Sequence, residues 1–445
     1  MADSFTFAHL ADVHLGAYSK DFRELNLEAF LATMDRCLAR KVDLVMIAGD
    51  LFHINVPDLA VVDRAVAKLR EVKDAGVPVY VWYGSHDYSP TEKSIIDVLA
   101  SAGLFTKVST FETAEGQGAP RFEWTQDPAT GARMVAVAGK ALGLDMHVFK
   151  ALDRAALERE PGFKVFGFHA AVKEYLPDYL AHINGVTLED FPRGFDYYAG
   201  GHIHHANLAD PAGFGPFVNP GPTFGSDGRD LLNDEPRGFV LGTVRGGRVE
   251  ARFEPVEVVR FLREEVDVTG KTAAEARAEL DELVDGWDVG GKAVVLRVRG
   301  ELSSGRRAEL DLDALHTRLP RLGARAVHIV KAFSVREASR VAAVEGETQG
   351  EVERKVVEGQ VASFASSDAR FAGASGVELA LALKRALSEE PPTQRGGLAE
   401  YRDRVVQRGL ELLGVVGGPP PAAAEERPAP SPPPQEPPRS LEEYA

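Results

Sequence analysis

The chain has 445 residues, 44% of them hydrophobic and 27% charged; that length leaves room for about three domains of roughly 150 residues, and the balance excludes whole-chain disorder, collagen and coiled-coil rods. A formal net charge of −16 argues against a protein that coats nucleic acid through bulk charge, so any such contact has to be local. A single cysteine, Cys37, excludes an intramolecular disulfide framework and a thiolate zinc knuckle. The opening MADSFTFAHLADVHLG has an acid where a secretory leader needs bases, and no apolar run of membrane-spanning length follows. The expectation is a soluble, intracellular protein with no membrane contact.

Phe5 to Leu10 reads as a strand. Leu27, Phe30, Leu31, Met34 and Leu38 recur at helical spacing, which predicts a helix over 23–40. Leu44 to Ala48 is a buried strand, Leu59, Val62, Val66 and Leu69 mark a second helix, and Val77 to Tyr83 is a third strand. Strand and helix in alternation predict parallel pairing through right-handed crossovers. Val135–Ala138, Lys164–Phe168 and Asp196–Ala199 continue the series.

Residues 238–262 alternate in a β manner around Gly246 and Gly247. A helix over 272–285, a strand Ala293–Val298, a helix over 307–319 and a strand Ala326–Val330 predict a second, smaller α+β domain. The boundaries read 1–235 and 236–336. Residues 292–336 hold ten Lys and Arg against four Asp and Glu, a local excess of six positive charges. Residues 337–375 read as a polar linker with some helix. Two amphipathic helices follow at 376–389 and 396–414, parted by Pro391, Pro392, Gly396 and Gly397. Ten prolines between Pro419 and Pro438 make 415–445 a stiff, solvated tail.

Five short motifs each follow a predicted strand: Asp12-Val-His14, Gly49-Asp50-Leu-Phe-His53, Gly84-Ser85-His86-Asp87, His169, and Gly201-His202-Ile-His204. Ligand sites of open α/β sheets lie outside the carboxyl ends of strands, so five strands would aim their Asp and His side chains at one crevice. Each motif alone carries little. Together they place six of the twelve histidines at corresponding strand ends, which coincidence explains poorly. Imidazole and carboxylate without thiolate suit manganese, iron or zinc. Asp50 can bridge two ions, and a pair of ions roughly 3.5–4 Å apart activates water for in-line phosphoryl displacement. His86 would then steady the developing charge or protonate the leaving oxygen, with Asp87 holding its ring.

This order of motifs resembles the calcineurin-like metallophosphoesterases. The runs HLADVHLG, GDLFH, GSHD and GGHIHH are more similar to one subgroup, the Mre-eleven/SbcD nucleases of double-strand-break repair. The resemblance is specific over 5–225 and looser over 236–336, where the family has a DNA-binding cap to which VVLRVRGEL at 294–302 is similar. It implies an α/β fold, a phosphoesterase sheet sandwich flanked by helices, with a small capping domain and a C-terminal helical segment. It further implies two Mn2+ ions, one on Asp12, His14, Asp50 and His204, the other on Asp50, His169, His202 and the residue at position 85. His86 and His53 would be catalytic histidines that bind no metal. The family has Asn where this chain has Ser85, so the second ion is either held more loosely or completed by a water.

The activity so implied is manganese-dependent exonuclease and endonuclease hydrolysis of DNA. The basic stretch, with Arg297, Arg299, Arg306 and Arg307, is the expected DNA contact. The helices at 376–414 would grip an SMC-like ATPase of the Rad-fifty/SbcC type. A homodimer through helices near 57–75 and 90–102, and a cytoplasmic, nucleoid-associated location, follow from the same resemblance. Two other readings stand beside it: a phosphoesterase acting on a small or protein phosphoester, and a weakly catalytic scaffold that binds DNA ends.

Overall fold

β1 (Ser4–Leu10), α1 (Lys20–Arg40), β2 (Leu44–Ala48), α2 (Leu59–Asp74), β3 (Val79–Trp82), α3 (Ile95–Ser101) and β4 (Thr106–Lys107) alternate along the first quarter of the chain. The computed structural model describes residues 4–18, 20–87, 93–108, 123–139, 145–336, 348–363, 368–388 and 398–413. The next elements are β5 (Thr125–Gln126), β6 (Arg133–Val137), α4 (Asp145–Lys150), α5 (Arg154–Arg159), β7 (Lys164–Phe168), β8 (Tyr197–Ala199), β9 (Asn207–Ala209), β10 (Phe217–Asn219), α6 (Gly228–Leu232), β11 (Gly238–Arg245) and β12 (Arg248–Pro255). They form two six-stranded sheets, in the orders β12-β11-β1-β2-β3-β4 and β5-β6-β7-β8-β10-β9. β1, β2, β3 and β4 run parallel, as do β6, β7 and β8.

The two-residue period of a strand decides which layer each side chain enters. Phe5, Phe7, Leu44, Met46, Ala48, Tyr80 and Trp82 face Met134, Ala136, Val165, Tyr197 and Ala199 in the core between the sheets. Their neighbours Ala8, Leu10, Val45, Ile47, Val79 and Val81 pack on the other side with Phe30 and Met34 of α1 and Val61, Ala65 and Leu69 of α2. Val135, Val137, Phe166, Phe168 and Tyr198 enter an aromatic core outside the second sheet. A strand buried on both faces reads as a continuous apolar run, which is why β2 and β7 are plain in the sequence. Buried His9 ties the layers together: its Nδ1 lies 3.0 Å from the Tyr197 hydroxyl and its Nε2 3.1 Å from the Gly200 carbonyl.

The 238–255 hairpin corrects the expected boundary. β11 pairs antiparallel with β1 along Ser4–His9, and β12 pairs with β11. Both strands therefore complete the first sheet instead of opening the smaller domain. That domain starts at β13 (Phe261–Asp267) and continues through α7 (Ala273–Asp285), β14 (Ala293–Leu302), α8 (Leu312–Arg321) and β15 (Ala326–Val335). Its three strands are all parallel. Val294, Leu296 and Val298 meet α7 and α8; Ala293 and Val295 turn the other way, onto Phe22, Leu25 and Ala29 of α1 and Leu231 of α6.

Contacts divide the chain into Met1–Arg336 and Glu337–Ala445. In the second unit α9 (Gln349–Ser363), α10 (Gly373–Leu387) and α11 (Leu398–Leu412) are helical. Val377 and Leu381 of α10 are buried, and Leu387 and Val406 are exposed. The expected Pro-rich tail lies outside the described residues. Among the described residues no helix is long and apolar enough to cross a membrane.

Candidate metal centre

The loops after β1, β2, β3, β7 and β8 meet at one place. Asp12 and His14 (φ 49° each), Asp50 (52°) and His202 (94°) all have left-handed backbone, which costs roughly 1–3 kcal/mol for a residue with a side chain and gathers at functional sites. The loops hold one another in this shape. The His14 N–H donates to the Asp50 carbonyl at 2.8 Å and the Leu15 N–H to the Leu51 carbonyl at 2.9 Å. The buried Asp87 carboxylate accepts the N–H of Asp50 at 2.7 Å and of Gly84 at 2.9 Å. Two glycines leave room for the ligands: a Cβ on Gly49 would stand 2.3 Å from His169 Nδ1, and one on Gly84 2.1 Å from Asp50 Oδ1.

Asp50 Oδ2 is the point of convergence. His169 Nε2 lies 3.2 Å from it, His14 Nε2 3.6 Å and the Ser85 hydroxyl 3.4 Å. The other oxygen accepts the His86 N–H at 2.8 Å. Asp12 takes the His202 N–H on both oxygens, at 3.0 and 3.1 Å, and its Oδ1 is 3.9 Å from His169 and 4.0 Å from His204. His14 and His204 bring their Nε2 atoms within 3.1 Å. Asp12, His14 and His204 make one group able to hold a divalent ion, and Asp12, Asp50 and His169 another. Asp12 thus stands in both.

The donor set fits cations. His169 Nδ1 sits 2.8 Å from the Ala48 carbonyl. A carbonyl can only accept, so Nδ1 carries the proton and the Nε2 lone pair faces Asp50 Oδ2. Nε2 is buried with no hydrogen-bond partner. Two lone pairs face to face call for a positive charge between them. Burial alone would depress the His169 imidazole, but Asp50 and Asp12 overcome it and push it up to about 10. Burial opposes ionisation of Asp50 as well, yet His169 and His14 hold its carboxyl below the ordinary range. Burial keeps His14 well below its usual value and His202 at about 3. Without an ion, a proton on His169 balances Asp50; a divalent ion would take the place of that proton and meet His14 and His202, which burial keeps neutral.

The expected ligands Asp12, His14, Asp50, Ser85, His169 and His204 come together, with His202 beside them at 5.1 Å from His169, ring centre to ring centre. His53 and His86 flank His14, their ring centres 5.5 and 4.8 Å from it. Asp87 is a correction. Its carboxylate holds the loops after β2 and β3 and does not touch the His86 ring, which is held instead by the His53 carbonyl, 2.7 Å from His86 Nδ1. Asp230 on α6 was missed: its Oδ2 accepts from His204 Nδ1 at 2.7 Å. It lies beyond the last motif, and only the fold brings α6 to His204.

The basic stretch is also corrected as a source of unbalanced charge. Arg297 and Arg299 both pair with Glu265 of the neighbouring strand, and Arg299 also with Asp267. Arg306 pairs with Glu309, and the Arg307 guanidinium lies 4.9 Å from the centre of the Phe333 ring. Lys292, Arg318, Arg325, Lys331 and Arg336 have acidic partners as well. Most of these acids lie outside the stretch in sequence, so a local count misses them.

Residues 5–206 match the family model described as calcineurin-like phosphoesterase, a span that contains every expected ligand from Asp12 to His204. Residues 5–206 form a calcineurin-like phosphoesterase domain. The chain is 31% identical over 277 residues to the DNA double-strand break repair protein Mre11 of Methanopyrus kandleri, covering 59% of each chain. It is 29% identical over 204 residues to that of Archaeoglobus fulgidus, covering 44% of this chain and 45% of the relative. Against that of Methanococcus maripaludis it is 26% identical over 215 residues, covering 45% and 52%. The chain thus spans about half the length of the curated relatives it matches.

Proposed function

We propose that this chain is a manganese-dependent nuclease that cleaves DNA phosphodiesters, from ends and internally, in double-strand-break repair. The observation that carries the hydrolytic part is Asp50, whose one oxygen faces the Nε2 atoms of His169 and His14 and the Ser85 hydroxyl. Asp12, His14, Asp50 and His204 would hold one ion, and Asp50, His169 and His202 with Ser85 the other; the position of Asp12 lets it assist the second. When bound there, such ions would supply hydroxide near neutral pH and neutralise phosphate oxygens.

The chain's own groups do the rest. The His53 carbonyl fixes the proton on His86 Nδ1 and leaves Nε2 open. The His86 side chain is exposed; in its doubly protonated form it can donate from Nε2 to a leaving oxygen. His53 lies beside it with ring centres 5.2 Å apart and would contact the substrate phosphate. Asp87 acts through the backbone it staples.

The motif set and the names of the relatives support DNA as substrate; the charge of the smaller domain gives little support, because most of its arginines are paired with acids. The same resemblance supports an SMC-like ATPase of the Rad-fifty/SbcC type as partner of α10 and α11. Exposed Ile54, Val56 and Leu59 before and at the start of α2, with Val98 on α3, support self-association through those helices. Intracellular, nucleoid-associated work is the setting these readings share.

A plasmid-nicking assay with manganese tests the reading. Asp50→Asn should lose both cleavage and manganese occupancy. His86→Gln should keep its manganese and lose turnover by about 10²-fold or more. Cleavage of a small chromogenic phosphodiester with no action on DNA would transfer the reading to the phosphoesterase of small substrates.

A further inference from the structure

A third group of side chains can hold an ion, and it has a different chemistry from the two built on Asp12. His14, His53 and His86 each offer one ring nitrogen, all within 4.8 Å of one another. No carboxylate belongs to the group. The ring centres are 4.8 Å apart for His14 and His86, 5.2 Å for His53 and His86, and 5.5 Å for His14 and His53. A tetrahedral ion at 2.0–2.1 Å from each nitrogen would hold its imidazole centres about 5 Å apart. The rings already stand near that spacing.

The nitrogens are also available. His86 Nδ1 is committed to the His53 carbonyl at 2.7 Å, so the lone pair it offers is on Nε2. His14 is 1% exposed, and His14 Nδ1 and His53 Nδ1 are both buried without a hydrogen-bond partner. Buried polar atoms are nearly always paired. Two unpartnered ring nitrogens in one cluster leave it with unused capacity for a ligand.

We propose that His14, His53 and His86 form a three-imidazole site that takes zinc in preference to manganese. Carboxylate and water suit manganese, whereas imidazole suits zinc. Three histidines with an open fourth position are an established zinc set. Zinc there would inhibit and not activate. That consequence rests on the roles proposed above for His53 and His86, whose lone pairs the ion would occupy, and on His14, which the Asp12 and His204 group shares. The binding itself does not depend on what the substrate is.

The test uses the full chain in excess manganese, with bound zinc counted after equilibrium dialysis and Co2+ as a visible probe of tetrahedral nitrogen ligation. Asp50→Asn should still bind one zinc and show the intense cobalt bands. His53→Gln should weaken that zinc about 100-fold and lose the bands, with manganese binding by electron paramagnetic resonance unchanged. His86→Gln, at an exposed side chain, should repeat the loss without risk to folding. Zinc that follows Asp50, and ignores His53 and His86, would overturn the proposal. The zinc count is read without DNA, so a wild-type chain that fails to cut DNA would sink the nuclease reading and leave this one standing.

Discussion

Asp230 Oδ2 accepts a hydrogen bond from His204 Nδ1 at 2.7 Å, and the same oxygen takes the Ser226 N–H at 2.7 Å. The bond puts the His204 proton on Nδ1 and turns the Nε2 lone pair toward His14 and Asp12. His204 in turn holds Asp230 in its charged form: burial would raise the carboxyl, but the His204 contact and the Ser226 N–H bring it below its ordinary range. A carboxylate behind a metal-binding histidine fixes the ring and raises its basicity, and its loss typically costs 10–100-fold in metal affinity. Asp230→Ala should therefore weaken manganese binding at the Asp12, His14 and His204 group by about that factor. Asp230→Asn, which can still accept the bond, should lose less. Turnover at saturating manganese should largely return in both. A fall in the saturated rate with unchanged manganese affinity would make Asp230 merely structural.

Glu265 is the shared counterion of Arg297 and Arg299. An exposed pair of this kind contributes about 1 kcal/mol or less, so Glu265→Gln should leave the melting temperature close to wild type. It leaves two guanidiniums with less compensation on one face of β14. If that face meets DNA, binding at low salt should tighten, and the slope of log affinity against log salt should steepen by about one. Anisotropy of a labelled duplex across a salt series reads both. An unchanged slope would remove β14 from the DNA surface.

Asp97 governs a separate part of the fold. It closes the capping box with Ser94 at the start of α3, pairs with Lys107 at 2.7 Å and accepts the Tyr83 hydroxyl. Burial alone would raise its carboxyl; Lys107, the Ser94 N–H and Tyr83 overcome that and lower it to about 2. A depressed acid contributes stability that is fully present above its unfolded pKa and is lost as pH falls through the folded value. The wild type should thus lose part of its stability between about pH 4 and pH 2. Asp97→Asn should lose about 1 kcal/mol at neutral pH and show a flatter decline across that window. Denaturant melts at several pH values measure this; parallel curves for the two proteins would refute it.

How much was legible in the sequence follows from distance along the chain. β2 and β7 could be placed because strands buried on both faces are short apolar runs, and their bounds are local facts; β14 was placed from Ala293 but runs past the expected end at Val298 to Leu302. β9 and β10 were not placed, since each is three residues long and is defined by pairing with its partner strand. The hairpin over 238–255 was recognised as β structure but assigned to the wrong domain, because pairing with β1 across more than 200 residues leaves no local mark. The site shows the same division. Asp12, His14, Asp50, His169 and His204 are marked by their places after strands. Asp230 has no motif, and Asp87 looks like a partner of the His86 beside it although its bonds go to Asp50 and Gly84. Charge was the least legible property: Arg297 and Arg299 are neutralised by residues more than thirty positions away.

In the proposed two-ion site, Ser85 would set how complete the second ion's ligand set is. Its hydroxyl is 3.4 Å from Asp50 Oδ2, on the same oxygen that His169 faces. An amide at this position would reach farther into the site than a hydroxyl and present a carbonyl oxygen, which suits a hard ion better. Ser85→Asn should therefore lower the manganese concentration for half-maximal activity several-fold, with His169→Ala remaining inactive in either background. Room is the opposing consideration. The loop is tight here, since a Cβ on Gly139 would stand 2.9 Å from the Ser85 nitrogen and 2.5 Å from His169 Cδ2. A longer side chain at position 85 has to fit in the space beside Asp50 Oδ2 that the hydroxyl now faces. If a water completes the coordination beside Ser85, the amide would displace it, and the half-saturation would stay level or rise. Manganese titrations of the two proteins, read both as activity and as bound manganese, separate the cases. A lower half-saturation in both readouts means that serine leaves the site one ligand short, and an unchanged or higher one means that the serine-and-water arrangement is complete.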